Sequence, residues 1–244
     1  MKLTFVGTSH GVPSATRHCS CTMIESGGKV YFIDAGAPMV EAILRARREV
    51  TDLRAVFTTH VHSDHTVGML QLAGLINWHY GKASADFFVT EQAHADATER
   101  WLFTAGDGEL DKNRIRFKIP STGIVYEDEN IKAEYIPTAH TSKTCSYAVL
   151  ITEGEKRVLF GGDFSQDLKR ADVPRIIGEE LDGFVCEMAH FKMDRLAPYL
   201  DGCKAKKVFF NHVFPLSNYE DIEKAKGKYP FEVFTPNDDF TIEI

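Results

Sequence analysis

Residues 57–70 read FTTHVHSDHTVGML, and six consecutive positions within that stretch hold His60, His62, Asp64 and His65. Neutral imidazole and carboxylate are the side chains that ligate a divalent cation, and two of them spaced two apart at the end of a strand point the same way. His60 and His62 could therefore grip one ion, while Asp64 and His65, a turn further on, would face a second ion beside it. A solvated polar loop is the plainer reading of the same residues, but it requires no such spacing. Two ions need more than four protein ligands, so further His or acidic residues should stand at the ends of later strands. His140 in PTAHTS, Asp163 in LFGGDFS and His212 in VFFNHVF each follow an apolar, strand-like run. Strand ends are where loops from a rigid scaffold converge. Gly161 and Gly162 would let the backbone bring Asp163 close without a side-chain clash.

Elements must carry these groups. Strand signals cover residues 3–6, 21–25 and 30–33, the last two joined by a hairpin turn at Gly27 and Gly28. Helical spacing over 38–49 is followed by a strand at 54–57, a helix at 67–79, a strand at 87–89 and a helix at 91–103. Strands at 115–119, 124–126 and 131–136 follow, then a second hairpin of 147–152 and 157–160 around Gly154. Strands at 183–187 and 208–211 alternate with helical stretches near 193–200 and 218–226, and TAGDGELD at 104–111 reads as a flexible acidic loop. Two β-rich halves with helices between them predict an α+β fold of four layers, an αββα sandwich. Without a repeat, a low-complexity tract or a proline-rich linker, residues 1–244 read as one domain.

The constellation resembles the metallo-β-lactamase superfamily. That family's HxHxDH motif is matched by His60, His62, Asp64 and His65, and its later His, Asp and His by His140, Asp163 and His212, over essentially the whole chain. Asp34, ending FIDAG, is similar to the family's early aspartate, which supports the HxHxDH loop by hydrogen bonds. The resemblance implies the four-layer fold and two divalent ions. His60, His62 and His140 would hold the first, Asp64, His65 and His212 the second, and Asp163 would bridge them. It further implies hydrolysis by a hydroxide shared between the ions, with Asp64 counted in the catalytic as well as the ligand set. Nitrogen-rich donor sets make Zn²⁺ the first expectation, with Mn²⁺ or Fe²⁺ as alternatives because two aspartates supply oxygen.

Departures narrow the reaction. Asp163 stands where several β-lactamases place a cysteine, and His62 where flavodiiron oxidoreductases carry a carboxylate, which argues against both activities. The opening FVGTSHGVPSATRHCSCTMIE resembles the GTxxGxPxxxR segment of ribonuclease Z and the related cyclic-phosphate phosphodiesterases, although Gly7, Gly11 and Pro13 alone could simply shape a turn. The expectation is a phosphodiesterase acting on a small-molecule phosphodiester, a cyclic nucleotide, or a short oligonucleotide. A thioester or lactone hydrolase of the glyoxalase II-like or lactonase-like type is the alternative, and a non-catalytic binding module a third. A leaving oxygen needs a proton donor that is not a ligand. His190, in FVCEMAHFKMD, stands where ribonuclease Z carries its HEAT motif; Glu187 matches that motif but Cys186 replaces its histidine, so a partly exposed loop histidine is the competing reading. His10 and His18 could line the cleft or be ordinary loop residues, whereas His79 and His94 read as structural.

Composition excludes more than it selects. A net charge of -7 argues against a nucleic-acid or membrane coat. With no Gly- and Pro-rich arm like that of ribonuclease Z, no stable large nucleic-acid partner is expected; Arg45, Arg47 and Arg48, like Lys204, Lys206 and Lys207, read as charged surface. Five cysteines give no disulfide framework, and neither a leader-like start nor an apolar run of bilayer length is present, so a cytoplasmic protein is expected. Similar proteins are often homodimers, which makes a dimer possible here.

Overall fold

The structure, a computed structural model, describes residues 1–168 and 173–244. In the first half, strands β1 (Lys2–Gly7), β2 (Cys21–Ser26) and β3 (Lys29–Ile33) form an antiparallel meander. Strands β4 (Leu53–Phe57), β5 (Ala85–Phe88) and β6 (Ile115–Lys118) then add in parallel, their crossovers carrying α1 (Met39–Arg45), α2 (Ser63–Thr66), α3 (Gly68–Trp78) and α4 (Gln92–Leu102). The second half repeats the scheme. Strands β7 (Gly123–Glu127), β8 (Lys132–Pro137), β9 (Tyr147–Glu153) and β10 (Lys156–Phe160) are antiparallel neighbours. Strands β11 (Gly183–Met188), β12 (Lys207–Val213) and β13 (Glu232–Phe234) add in parallel, with α5 (Met193–Leu200) and α6 (Asn218–Ala225) between them. A final strand, β14 (Phe240–Glu243), crosses back to pair with β1, giving two seven-stranded sheets.

Strands β3 and β4 are apolar on both faces because each sheet is covered twice. One core lies between the sheets, where Phe5, Phe57, Phe88, Tyr135, Phe160 and Phe209 are buried together. Another packs the first sheet under α1 and α3 through Phe32, Val56, Ile43, Leu72 and Phe87, and a third packs the second sheet under α5 and α6 through Leu159, Phe184, Leu196, Phe210 and Ile222. The expected αββα sandwich is borne out. Among the described residues no helix is long and apolar enough to cross a membrane.

Boundaries moved where local chemistry overrode periodicity. The helix expected over 38–49 stops at Arg45, because Arg47 turns the chain into the left-handed region (φ 58) before a short 3₁₀ turn at Val50–Asp52. The acidic loop expected at 104–111 begins instead as a π-helical turn, Phe103–Asp107, continuing α4. Strands β13 and β14 were not expected. All five cysteines are free thiols.

Two basic residues at and just after α1, Arg45 and Arg48, are engaged in ion pairs. Glu25, 6% exposed, accepts from Lys2 Nζ at 2.5 Å and Arg48 Nε at 2.8 Å, and Arg45 pairs with Asp239. Burial raises the Glu25 pKa, but the two cations more than offset it and hold the group below the usual carboxylate range. A depressed carboxylate stabilises the fold above its unfolded value and loses that contribution as pH falls through the folded one. Glu25→Gln is therefore expected to cost about 1 kcal/mol at pH 7. The cost should shrink below pH ~4.3, where the unfolded-state carboxylate begins to protonate. Urea midpoints of both proteins across pH 3–8 check this; a difference independent of pH would contradict it.

Candidate functional site

Every ligand candidate leaves the C-terminal end of a strand, on the edge where the two sheets open toward each other. Asp34 follows β3, His60 to His65 follow β4, His140 follows β8, Asp163 follows β10, His190 follows β11, and His212 is the penultimate residue of β12. Two backbone devices aim them. The β11–β12 register runs Glu187 opposite Asn211 and then Met188 opposite Val213, so His212 is an extra, bulged residue with φ 52, turned out of the ladder and toward the donors. Gly162 (φ 65) lets β10 turn sharply, and a Cβ there would sit 2.9 Å from both Thr59 Cβ and Tyr147 O. Asp34 (φ 59) is the other non-glycine residue in this set held in the left-handed region, a conformation that persists only where surroundings over-determine it.

The donors converge as two groups. His60 Nε2 lies 3.0 Å from His62 Nδ1, and His140 Nε2 lies 3.3 Å from the same atom. In the second group His65 Nε2 is 3.4 Å from both His212 Nε2 and Asp64 Oδ2, and His212 Nε2 is 3.2 Å from Asp64 Oδ2. Asp163 stands between: its carboxylate oxygens lie 3.9 Å from His60 Nε2, 3.8 Å from His140 Nε2, 3.5 Å from His65 Nε2 and 3.6 Å from His212 Nε2. All seven sequence candidates are thus in one place.

These groups fit metal ions. Two nitrogens each ~2.0–2.1 Å from a tetrahedral Zn²⁺ are about 3.3 Å apart, the separation seen within each group. Asp163 Oδ1 is buried with no hydrogen-bond partner among the described residues, as a carboxylate aimed at a cation would be. Desolvation, then the neighbouring imidazoles, pulls His60 and His62 below the ordinary histidine pKa, which keeps them in the neutral, ligating form. For Asp163 burial raises the pKa, but the imidazoles around it, His212 first, more than offset that and keep it ionised.

Anchors behind the ligands set their tautomers. His65 Nδ1–H donates to Asp34 Oδ2 at 2.8 Å, and His140 Nδ1–H donates to the Phe164 carbonyl at 2.9 Å, so each Nε2 lone pair faces inward. Thr59 Oγ1, which donates to Asp34, accepts from His60 Nδ1–H at 3.1 Å. Asp34 thus steadies two ligands at once. Asp34→Ala is expected to weaken metal affinity ~10–100-fold, read as the chelator concentration that strips half the metal. An unchanged affinity would contradict this anchoring role.

His190 lies beside the donors, close enough to His140 and Asp163 to form a further group of potential ligands with them. Its Nδ1–H donates to Glu187 Oε1 at 2.8 Å, its ring centroid is 4.8 Å from that of His140 and 5.8 Å from that of His212, and its side chain is 25% exposed. Burial lowers its pKa, but the Glu187 carboxylate more than offsets that and leaves it above the ordinary histidine value. Glu187 is fixed by backbone N–H groups of Phe164, Ala189 and His190. Of the other histidines, His10 reaches the site rim, its ring 6.5 Å from that of His212. His18 is exposed and its ring meets no donor among the described residues, His79 packs against Trp78 and Tyr80, and His94 lines an open groove with Val61 and Trp101.

The GTxxGxPxxxR segment proves to be held from behind. Arg17 donates to Thr8 Oγ1 at 2.9 Å and to the Pro236 carbonyl at 3.1 Å, while Asp238 accepts from Thr8 N and His18 N. Arg17 is thus a strut that fixes the loop carrying His10, a role invisible in the sequence because two of its partners, Pro236 and Asn237, lie more than 200 residues away. Asn218 also escaped the sequence reading: buried in α6, its side-chain amide is 2.9 Å from the Met188 carbonyl and 2.7 Å from the Phe214 carbonyl, tying the His190 loop to the one after His212.

The family described as "Anti-Pycsar protein Apyc1" matches residues 1–229. The chain belongs to that family. Its Apyc1-type sequence is also 28% identical over 153 residues to a ribonuclease Z from Synechococcus sp., covering 61% of this chain and 47% of that protein. The chain therefore spans about half the length of that relative. Among solved structures, human tRNase Z, short form, superposes with a TM-score of 0.75 at 18% identity, covering 100% of this chain and 99% of that one. The metallo-β-lactamase fold protein YhfI from Bacillus subtilis gives 0.78 at 18% identity, covering 100% and 99%. The resemblance to the metallo-β-lactamase superfamily and its ribonuclease Z branch is borne out.

Proposed function

We propose that this Apyc1-family chain is a single-domain, metal-dependent phosphodiesterase, with a small phosphodiester, either a cyclic nucleotide or a short oligonucleotide, as its substrate. The observation that carries the reading is the pair of donor groups, His60, His62 and His140 beside Asp64, His65 and His212, with Asp163 within 4 Å of both. Two such sites, most simply filled by Zn²⁺, supply a Lewis acid and an acidified water when loaded and suit in-line displacement at phosphorus. The chain's own residues do the rest. The seven side chains fix where the scissile phosphate sits, Asp34 holds two of the imidazoles in register, and His190, oriented by Glu187, supplies the proton to the departing oxygen. Relatives named ribonuclease Z support phosphodiester chemistry.

Charge limits the size of the substrate. Arg45, Arg48 and Lys206 are taken up in ion pairs with Asp239, Glu25 and Asp182, leaving them poorly placed to track a long phosphate backbone. Zinc-loaded enzyme should hydrolyse 3′,5′-cyclic nucleotides and short oligonucleotides in preference to a thioester or a lactone. Turnover of either of the latter with every phosphodiester untouched would overturn the proposal.

A further inference from the structure

We propose that Phe214, backed by the ring of His10, is a ledge on which the base of a nucleotide substrate stacks; the inference rests on the phosphodiesterase reading above. Phe214 is 47% exposed, two residues beyond the donor His212, on a chain that runs on through the 75%-exposed Leu216. His10 packs on one side of it, with ring centroids 4.2 Å apart and an interplanar angle of 38°. His10 also meets His212 edge-on, so the two rings form a continuous step leading away from the donor cluster. The loop bearing His10 also meets the carboxylate beside His212, since a Cβ on Gly11 would lie 3.4 Å from Asp64 Oδ2. A nucleotide with its phosphate among the donors would find this step at the side of the site.

An aromatic ring left in water contributes nothing to the core, yet the backbone that carries this one is pinned on both sides. Phe214 N–H donates to the Met188 carbonyl at 3.1 Å, and the buried Asn218 amide lies 2.7 Å from the Phe214 carbonyl. The partner loop is fixed too: Val12 N–H donates to His10 Nδ1, Ser9 Oγ donates to the Val12 carbonyl, and Arg17 and Asp238 brace the loop's base. A preorganised aromatic face binds without an ordering cost. Base stacking on such a face tolerates any base, because every base has a π-face. The ledge therefore selects for nucleotides over base-free phosphodiesters, with weak preference among bases.

The test compares a 3′,5′-cyclic nucleotide with 1-O-methylribose 3′,5′-cyclic phosphate, which lacks the base, on the zinc-loaded full chain. Phe214→Ala should lower the nucleotide-to-base-free ratio of kcat/KM by about tenfold, chiefly through KM for the nucleotide. Phe214→Leu, which keeps bulk without a ring, should lose nearly as much, and Phe214→Tyr should restore the ratio to within twofold. Calorimetry with a nucleoside monophosphate should show the same weakening. A ratio unmoved in both the Ala and Leu variants, or a wild-type enzyme that treats the two substrates alike, overturns the ledge while leaving the phosphodiesterase proposal standing. Failure of the wild type on both phosphodiesters removes that proposal and the ledge with it.

Discussion

Asp163→Ala is expected to abolish hydrolysis, with kcat/KM falling by on the order of 10³-fold or more, about 4 kcal/mol of transition-state stabilisation. Asp163 is 4% exposed and its carboxylate reaches both donor sets, at 3.9 Å from His60, 3.8 Å from His140, 3.5 Å from His65 and 3.6 Å from His212. Removing it takes away the anion that offsets two neighbouring cations, so the variant should hold at most one ion. In the metal-free fold the imidazoles around Asp163 more than offset its burial, so the variant should lose some stability even without metal. Thermal unfolding with chelator should show that loss, and the rise in Tm on adding zinc should be smaller in the variant, since a ligand stabilises only the state that binds it. Near-wild-type activity in Asp163→Ala would remove the bridging role.

The second large effect concerns His190, and it depends on the leaving group. A general acid contributes ~10²–10⁴-fold where the departing oxygen needs a proton. His190 is placed for this: Glu187 Oε1 accepts a hydrogen bond from its Nδ1–H at 2.8 Å, which leaves Nε2 as the free donor, and its ring stands beside those of His140 and His212. His190→Ala should therefore slow hydrolysis of a cyclic nucleotide, whose leaving group is an alkoxide, by ~10²–10³-fold. The same variant should cleave bis(p-nitrophenyl) phosphate at nearly the wild-type rate, because p-nitrophenolate departs without protonation. Glu187→Gln should reproduce part of the pattern, since it loosens the ring. Equal losses on both substrates would mean that His190 acts through the metal site, as a ligand or a spacer, and the general-acid assignment would fall.

The two readings of this molecule differ in which residues each could reach. The HxHxDH cluster was legible because ligands packed into one loop leave a pattern of type and spacing that core packing does not produce, whereas Asp34 was legible only through the family resemblance. His140, Asp163 and His212 were legible for a related reason: each ends an apolar run, and a strand's end is the one place in a sheet where a polar side chain can leave the core. The αββα layering followed from alternating strand and helix signals. The bulge that turns His212 toward the donors left no trace, because a one-residue slip in register is decided by the neighbouring strand β11. Strand β14 pairs with β1 across nearly the full chain length, and its Phe240 and Ile242 alternate too briefly to stand out beside the polar 236–239 turn. Arg17 was legible as part of a motif, but its work as a brace for the His10 loop rests on Thr8, Pro236 and Asn237, and only tertiary contact brings these together.

The donor geometry makes one quantity decisive, the number of ions each chain holds at saturation. Chelator-stripped protein titrated with zinc in a calorimeter, with the product assayed by elemental analysis, should bind two ions per chain, and anomalous scattering should place them between His60, His62 and His140 and between Asp64, His65 and His212, on either side of Asp163. Saturation at a single ion, or density away from those side chains, would contradict the account.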